Sequence, residues 1–255
     1  VFKAKAYVKV RSLDEAWELN QKKSAVVVGG MMWLKMENIN KQTIIDLSGL
    51  KLDGIKEADE MFSIGCMCTL RQLELHEGLN KYFDGIFKEC TRHIVGVQFR
   101  NSATVGGSVY GRFGFSDIIT CLLALDSYVE LHKGGIISLK SFVSMPYDND
   151  ILVRIIIKKD GRKAAYVTQR QTKTDFPLIA CAVGKKDSRW YISVGARPSC
   201  AKLVKMDDDG DLDRLAEEAA AQFKFGTNLR ASAEYRQELT KIYLKRLMGQ
   251  IREAK

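Results

Sequence analysis

Two glycine pairs are the parts of this chain best suited to holding a phosphate. Gly29-Gly30 follows the apolar run Ala25 to Val28, and Gly106-Gly107 interrupts the pattern within Thr104-Val-Gly-Gly107. Lacking a Cβ, such residues let main-chain N–H groups turn toward a phosphate and let it approach closely. Neither pair belongs to a GxGxxG fingerprint, and neither precedes the Lys-Ser/Thr of a P-loop. Singly, each reads as well as a tight turn. Two in one domain could grip the pyrophosphate of a dinucleotide from both sides.

The remaining reactive side chains suggest no second chemistry. Cysteines stand at 66, 68, 90, 121, 181 and 200 with no CxxC, which gives zinc and iron–sulfur sites no support. Cys66 and Cys68 would share one strand face and read as small apolar residues in a reducing compartment. His76, His93 and His132 are the only histidines, and no Ser-His-Asp or Cys-His arrangement accompanies them. Asp207-Asp-Asp-Gly-Asp211 is out of register with an EF-hand loop and reads as an acidic loop before a helix. The net charge of +9 comes from scattered Lys and Arg without a nucleic-acid motif. The densest basic stretch, Arg154 to Lys173, suits a solvated face, an acidic partner or a nucleotide phosphate.

These residues need elements to position them. The 255 residues, 46% hydrophobic and 28% charged, suffice for one large domain or two modest ones. No apolar run approaches the roughly 18–20 residues of a membrane span, and VFKAKAYVKV alternates like a strand without a signal-peptide core. A cytoplasmic protein is expected. Ser12 with Glu15 predicts a capped helix over 13–20, followed by strands at 25–28 and 43–47. A strand is predicted at 61–66, a helix capped by Thr69 and Gln72, and another over 80–93. Asp117 opens a periodic helix, and 128–132 returns to strand. Met145 to Asp150 is a turn-rich joint. Beyond it, strands at 151–157, 164–169, 178–183 and 189–195 form a meander, with helices near 211–222 and 232–248 appended, an α+β pattern.

The runs VVVGGMMWLKM, RNSATVGGSV and SDIITCLLALDS, in this order, resemble the flavin-binding medium subunit of the molybdenum hydroxylases, such as the carbon monoxide, xanthine and nicotinate dehydrogenases. YVTQRQTKTDFPLIACAV resembles that family's C-terminal domain, and RASAEYRQELTKIYLKRL its closing Ser-Ala-x-Tyr-Arg helix. The resemblance spans nearly the whole chain. It implies an α+β fold: a two-subdomain FAD-binding domain of the p-cresol methylhydroxylase type over 1–147, divided near 52, and a C-terminal domain of antiparallel sheet and helices over 148–255.

The resemblance also implies a site for non-covalent FAD. Val27, Val28, Gly29, Gly30, Met31, Met32, Trp33 and Leu34 would form the first pyrophosphate loop. Ala103, Thr104, Val105, Gly106, Gly107 and Ser108 would form the second. Asp117 would bind a polar part of the cofactor, such as a ribityl hydroxyl, or else cap its helix. Ile94 or Val95, and Leu152, match apolar positions near the flavin, or simply core. Gln169 or Thr168 matches a basic family position, with Arg170 just beyond. Relatives carry Thr or Ser and Asp where Met31 and Met32 stand, so side-chain hydrogen bonds are lost there and main-chain N–H groups remain. Ser108 replaces the usual Asn.

The implied function is electron transfer from the [2Fe–2S] clusters of a small partner subunit through FAD to NAD⁺ or another acceptor. A large partner subunit would hold the molybdenum cofactor. This chain has no cysteine spacing for the clusters, which therefore belong to separate polypeptides. Two other readings are a stand-alone FAD oxidoreductase and a scaffold subunit that has lost FAD, the latter motivated by Met31-Met32.

Overall fold

A computed structural model describes residues 1–254. The chain opens with β1 (Lys3–Lys9), α1 (Leu13–Asn20), β2 (Ala25–Val28) and β3 (Asn40–Asp46), a parallel sheet in the order β1-β3-β2. Ser12 caps α1 by accepting from the Glu15 N–H, as its spacing predicts. Glu15 reaches back to the Arg11 N–H, one residue earlier than a standard capping box. Because both crossovers return to a parallel neighbour, the residues after β2 emerge at the sheet's C-terminal edge, where open α/β units bind ligands.

The second unit contains β4 (Ile55–Glu57), β5 (Met61–Gly65), α2 (Leu70–Leu75), α3 (Glu77–Tyr82), α4 (Ile86–Thr91), α5 (Val97–Arg100) and α6 (Val105–Tyr110). It continues with α7 (Asp117–Ala124), β6 (Ser127–Leu131), β7 (Gly135–Ser138), α8 (Leu139–Ser144) and β8 (Leu152–Lys158). Its sheet is antiparallel in the order β4-β5-β8-β6-β7. Thr69 and Gln72 form the predicted reciprocal capping box of α2. The single helix expected over 80–93 is two, because Asp84 and Gly85 both take positive φ and end α3 before α4 begins.

The expected meander also needs correction. β8 lies between β5 and β6 at the centre of the five-stranded sheet and does not pair with the next strand. The meander consists of β9 (Lys163–Gln169), β10 (Ile179–Lys186), β11 (Arg189–Gly195) and β12 (Lys202–Asp207). Two helices, α9 (Leu212–Ala221) and α10 (Ala233–Glu253), pack on it around Trp190, Ile192, Leu215, Leu244 and Met248.

α7 joins the units. All eight of its residues are buried, as expected of a helix that is apolar on every side. Two strand glycines let it lie close against the meander. A Cβ at Gly184 would fall 2.4 Å from the Ala124 carbonyl oxygen, and one at Gly195 would fall 2.1 Å from Thr120 Oγ1. Arg162 closes the C-terminal end of α7 with a 2.8 Å hydrogen bond to the Ala124 carbonyl. The N-terminal end, bearing Asp117, is thereby fixed relative to both sheets.

Candidate functional site

A cavity of about 510 Å³ lies where the first sheet, the second unit and the segment after β9 converge. Every residue assigned to the two loops borders it except Val105, and Val95, Asp117 and Leu152 border it as well. Val105 is fully buried and donates its N–H to the Cys68 carbonyl. Gln169 also lies elsewhere, beside a shallow depression with His93 and Lys173, where its Oε1 accepts from the Tyr243 hydroxyl. The adjacent Arg170 borders both that depression and the cavity.

The first glycine pair packs on the segment just before the second, against Ser102 and Thr104. A Cβ on Gly29 would lie 2.3 Å from Thr104 Oγ1, and one on Gly30 only 1.7 Å from the Ser102 carbonyl oxygen. Only glycine allows this approach of the two segments. Their N–H groups differ in use. Among the described residues, those of Gly30, Met31, Met32 and Trp33 donate to no protein acceptor. Those of Val105 and Gly106 bond the carbonyls of Cys68 and Cys66, Gly107 bonds Thr104 Oγ1 at 3.2 Å, and Ser108 bonds the Thr104 carbonyl. The second pair is therefore the first turn of α6, capped by Thr104, and not an open loop of free donors. Its glycines supply close approach, and the first segment supplies the unspent N–H groups that an anion requires. The paired cysteines have a positional role here. Their carbonyls hold the second segment, while burial pushes the Cys66 thiol up to about 12 and Cys68 to about 11.

Asp117 does not cap α7. Ser116 does, its side chain accepting from the Ile119 N–H, and Asp117 occupies the first turn, where a carboxylate complements the helix dipole. Its Oδ1 accepts from the Tyr166 hydroxyl and from Arg170 Nη2 at 2.6 Å. Burial pushes the Asp117 carboxyl above its ordinary value, and the Arg170 guanidinium offsets part of that effect. The same guanidinium reaches the Asp175 carbonyl, tying down the segment that carries Phe176.

A second buried pair shapes the far wall. Arg100 binds Glu74 through both oxygens, at 2.8 and 3.1 Å, and also donates to the Ile94 carbonyl. Directly after the Ile94 carbonyl so held, Val95 takes φ +50°, a left-handed conformation that a β-branched residue rarely adopts. Strain of this kind, about 1–3 kcal/mol, marks a position defined by its surroundings.

The cavity also contains groups that sequence reasoning did not single out: Phe99, Phe113, Phe115, Phe176, Tyr110 and the turn Asp148 to Asp150. The available signal was the aromatic pair in Arg112-Phe-Gly-Phe115, just beyond the second glycine pair. Arg236, the arginine of the Ser-Ala-x-Tyr-Arg run, is not at the cavity. It is fully buried and braces the C-terminal loop, donating to the Leu178 and Ala231 carbonyls at 2.8 Å and to Asn228 Oδ1 at 2.7 Å.

A cleft with free N–H donors at one segment, aromatic rings beside it and a buried carboxylate nearby suits a dinucleotide-binding flavoprotein type of site. Residues 2–159 match the family described as the FAD binding domain in molybdopterin dehydrogenase. The chain belongs to that family and is an oxidoreductase component on that ground. It is similar to the uncharacterized protein YgfM of Escherichia coli, 23% identical over 250 residues that cover 95% of each chain. It is also similar to the glyceraldehyde dehydrogenase medium chain of Sulfolobus acidocaldarius, 26% identical across 93% of this chain and 94% of that one. A chain of the reconstituted CO dehydrogenase from Oligotropha carboxidovorans shares the fold, with a TM-score of 0.84, 20% identity and coverage of 100% and 97%.

Proposed function

We propose that this chain is the medium, flavoprotein subunit of a molybdenum hydroxylase complex. It takes electrons from the [2Fe–2S] clusters of a small partner subunit and passes them to NAD⁺ or another acceptor. The molybdenum cofactor belongs to a large partner subunit, and the complex works in the cytoplasm. None of the described helices is long and apolar enough to cross a membrane.

The observation that carries this reading is the row of unspent N–H groups from Gly30 to Trp33, in a segment whose glycines pack on Ser102 and Thr104 at the cavity wall. Bound there, FAD supplies a redox centre able to exchange both single electrons and electron pairs. The protein's own groups bind and orient it. The Gly30–Trp33 amides hold the pyrophosphate without help from the Met31 and Met32 side chains. Asp117 borders the cavity with Oδ1 engaged by Tyr166 and Arg170, and Oδ2 is its oxygen for a cofactor hydroxyl. Thr104 and Ser108 also line the cavity, and Val95 and Leu152 exclude water from the ring system. No histidine borders the cavity, in keeping with non-covalent attachment.

The test is to express the chain, record its visible spectrum before and after denaturation, and compare released flavin with protein. About one FAD per chain is expected, as one pyrophosphate segment predicts. No flavin, even after reconstitution with excess FAD both alone and in the assembled complex, would favour the scaffold reading.

A further inference from the structure

We propose that the depression beside Gln169 is a phosphate-binding site separate from the cofactor cavity, with the Arg170 Nε–H, the His93 Nδ1–H and the Lys173 ammonium as its donors. It has a volume of about 230 Å³ and lies between the turn that follows α4 and the segment that leaves β9. Arg170 borders both sites. Its Nη2 is taken by Asp117 and its Nη1 by the Asp175 carbonyl, and the side chain is only 7% exposed, yet Nε has no partner. A buried N–H without an acceptor costs about 1–3 kcal/mol, and a group left so in a folded protein requires a reason.

The second donor follows from a tautomer. His93 Nε2 lies 3.1 Å from Arg92 Nε, and a guanidinium only donates, so Nε2 carries the lone pair and the ring proton sits on Nδ1. Nδ1 is buried and has no partner either. Burial, and then the positive charges of Arg92, Arg170 and Lys173, hold this imidazole below its ordinary value, so it is a neutral donor in a positive field. Lys173 is exposed and forms no ion pair among the described residues. Two buried donors and a free ammonium thus belong to one depression.

The charge balance selects the ligand. None of the residues lining the depression carries a carboxylate. The nearby acids are engaged: Asp117 with Arg170, Asp175 with Arg230 and Glu89 with Arg92. A phosphate group presents three oxygens to three donors, where a carboxylate presents two, and its charge suits a rim of one sign. Because Arg170 borders the cavity as well, a phosphate held here lies one guanidinium away from whatever occupies that cavity. Under the flavoprotein reading, on which this step alone rests, it belongs to a nucleotide electron acceptor. Free inorganic phosphate is the other source of the same chemistry.

The experiment incubates the chain with excess FAD and titrates it with inorganic phosphate, NAD⁺ and acetate at constant ionic strength. The Arg170 Nε–H signal is followed in hydrogen–nitrogen correlation spectra, and H93L, H93N and K173Q are compared with wild type. Thermal melts establish that each variant is folded, and K173Q, at an exposed position, serves if H93L is not. Phosphate should move the Arg170 signal. K173Q and H93L should each bind phosphate about tenfold more weakly, while H93N, which keeps an N–H near the place of Nδ1, stays within about threefold of wild type. NAD⁺ that binds about tenfold more tightly than phosphate, with the same dependence on Lys173, supports the site and assigns it to a dinucleotide acceptor. Phosphate that binds as tightly as NAD⁺ supports the site and assigns it to the free ion. An Arg170 signal that phosphate leaves in place, acetate as effective as phosphate, or an affinity unchanged in K173Q and H93L overturns it. Wild type that retains no FAD but binds phosphate at Arg170 overturns the flavoprotein reading alone.

Discussion

Asp117 and Arg170 lie 53 positions apart and form a buried ion pair at 2.6 Å that locks the first turn of α7 to the segment leaving β9. One link thereby fixes a cavity carboxylate and, through the Asp175 carbonyl, the placement of Phe176. It has consequences for stability as well as binding.

Asp117→Ala removes a buried charge and leaves the Arg170 guanidinium without its partner. A loss of about 3–5 kcal/mol is expected, because an orphaned buried charge is far costlier than an absent pair. The double variant D117A/R170M should be more stable than D117A alone, since it leaves no orphaned charge. Urea denaturation of the three proteins checks this, and a double variant less stable than D117A would show that Arg170 draws its support from elsewhere. Flavin retention should fall in both.

Gly30→Ala places a methyl group 1.7 Å from a main-chain oxygen of the neighbouring segment. Backbone has to move, so a loss of about 1–3 kcal/mol is expected, together with release of flavin. Gly249→Ala is the contrasting substitution. That glycine lies in α10 with nothing within 4 Å of a new Cβ, and alanine there should stabilise by about 0.5–1 kcal/mol. Thermal melts that move in the same direction for both would contradict the packing described.

Glu74 gives a pH dependence whose sign can be stated. Burial pushes its carboxyl up, but hydrogen bonds from Arg100 and Arg71 outweigh burial and hold it below its ordinary 4.5. A carboxyl depressed in the folded state adds stability that is fully present above 4.5 and lost as the pH falls through its folded value. Wild type should therefore lose stability faster than E74Q as the pH is lowered from 5 toward 3, in denaturation series at about half-unit steps. Parallel curves would assign the acid sensitivity to other carboxyls.

Removing the Arg236 clasp should loosen the loop that carries Arg230 without reaching the cavity directly. R236M leaves the Leu178 and Gly226 carbonyls without a donor, while the Ala231 carbonyl keeps the Asn228 N–H and Asn228 Oδ1 keeps the Arg230 N–H. Each unmatched buried group costs about 1–3 kcal/mol, so a substantially lower melting temperature is expected. Amide exchange should quicken first in residues 226–231. Uniform acceleration over the whole chain would mean that the loop does not open separately.

Local signals were legible in the sequence. Ser12, Thr69 and Asp117 mark helix starts correctly to within a residue, since caps act on their own first turn. The family resemblance carried the fold and the cofactor class. What the sequence hid depends on partners far along the chain. The apolar run at 151–157 predicts a strand but cannot say which sheet receives it. The second glycine pair looked like a phosphate loop because nothing local reveals that the Cys66 and Cys68 carbonyls take its N–H groups. Gln169 and Arg170 were indistinguishable for a simple reason: neighbours at a strand end face opposite ways, and one position of slip exchanges their roles.

The central position of β8 governs how the protein can be made. Until residues 152–158 leave the ribosome, β5 and β6 have no strand between them, and each presents a bare hydrogen-bonding edge. A nascent chain halted near Pro146 would carry those adhesive edges together with both halves of the cofactor cradle. The yield of shortened versions should therefore change across this one strand, a chain ending before Leu152 aggregating more than one ending after Lys158, in which the bare edges are closed and the face of α7 that meets β10 and β11 is what stays uncovered.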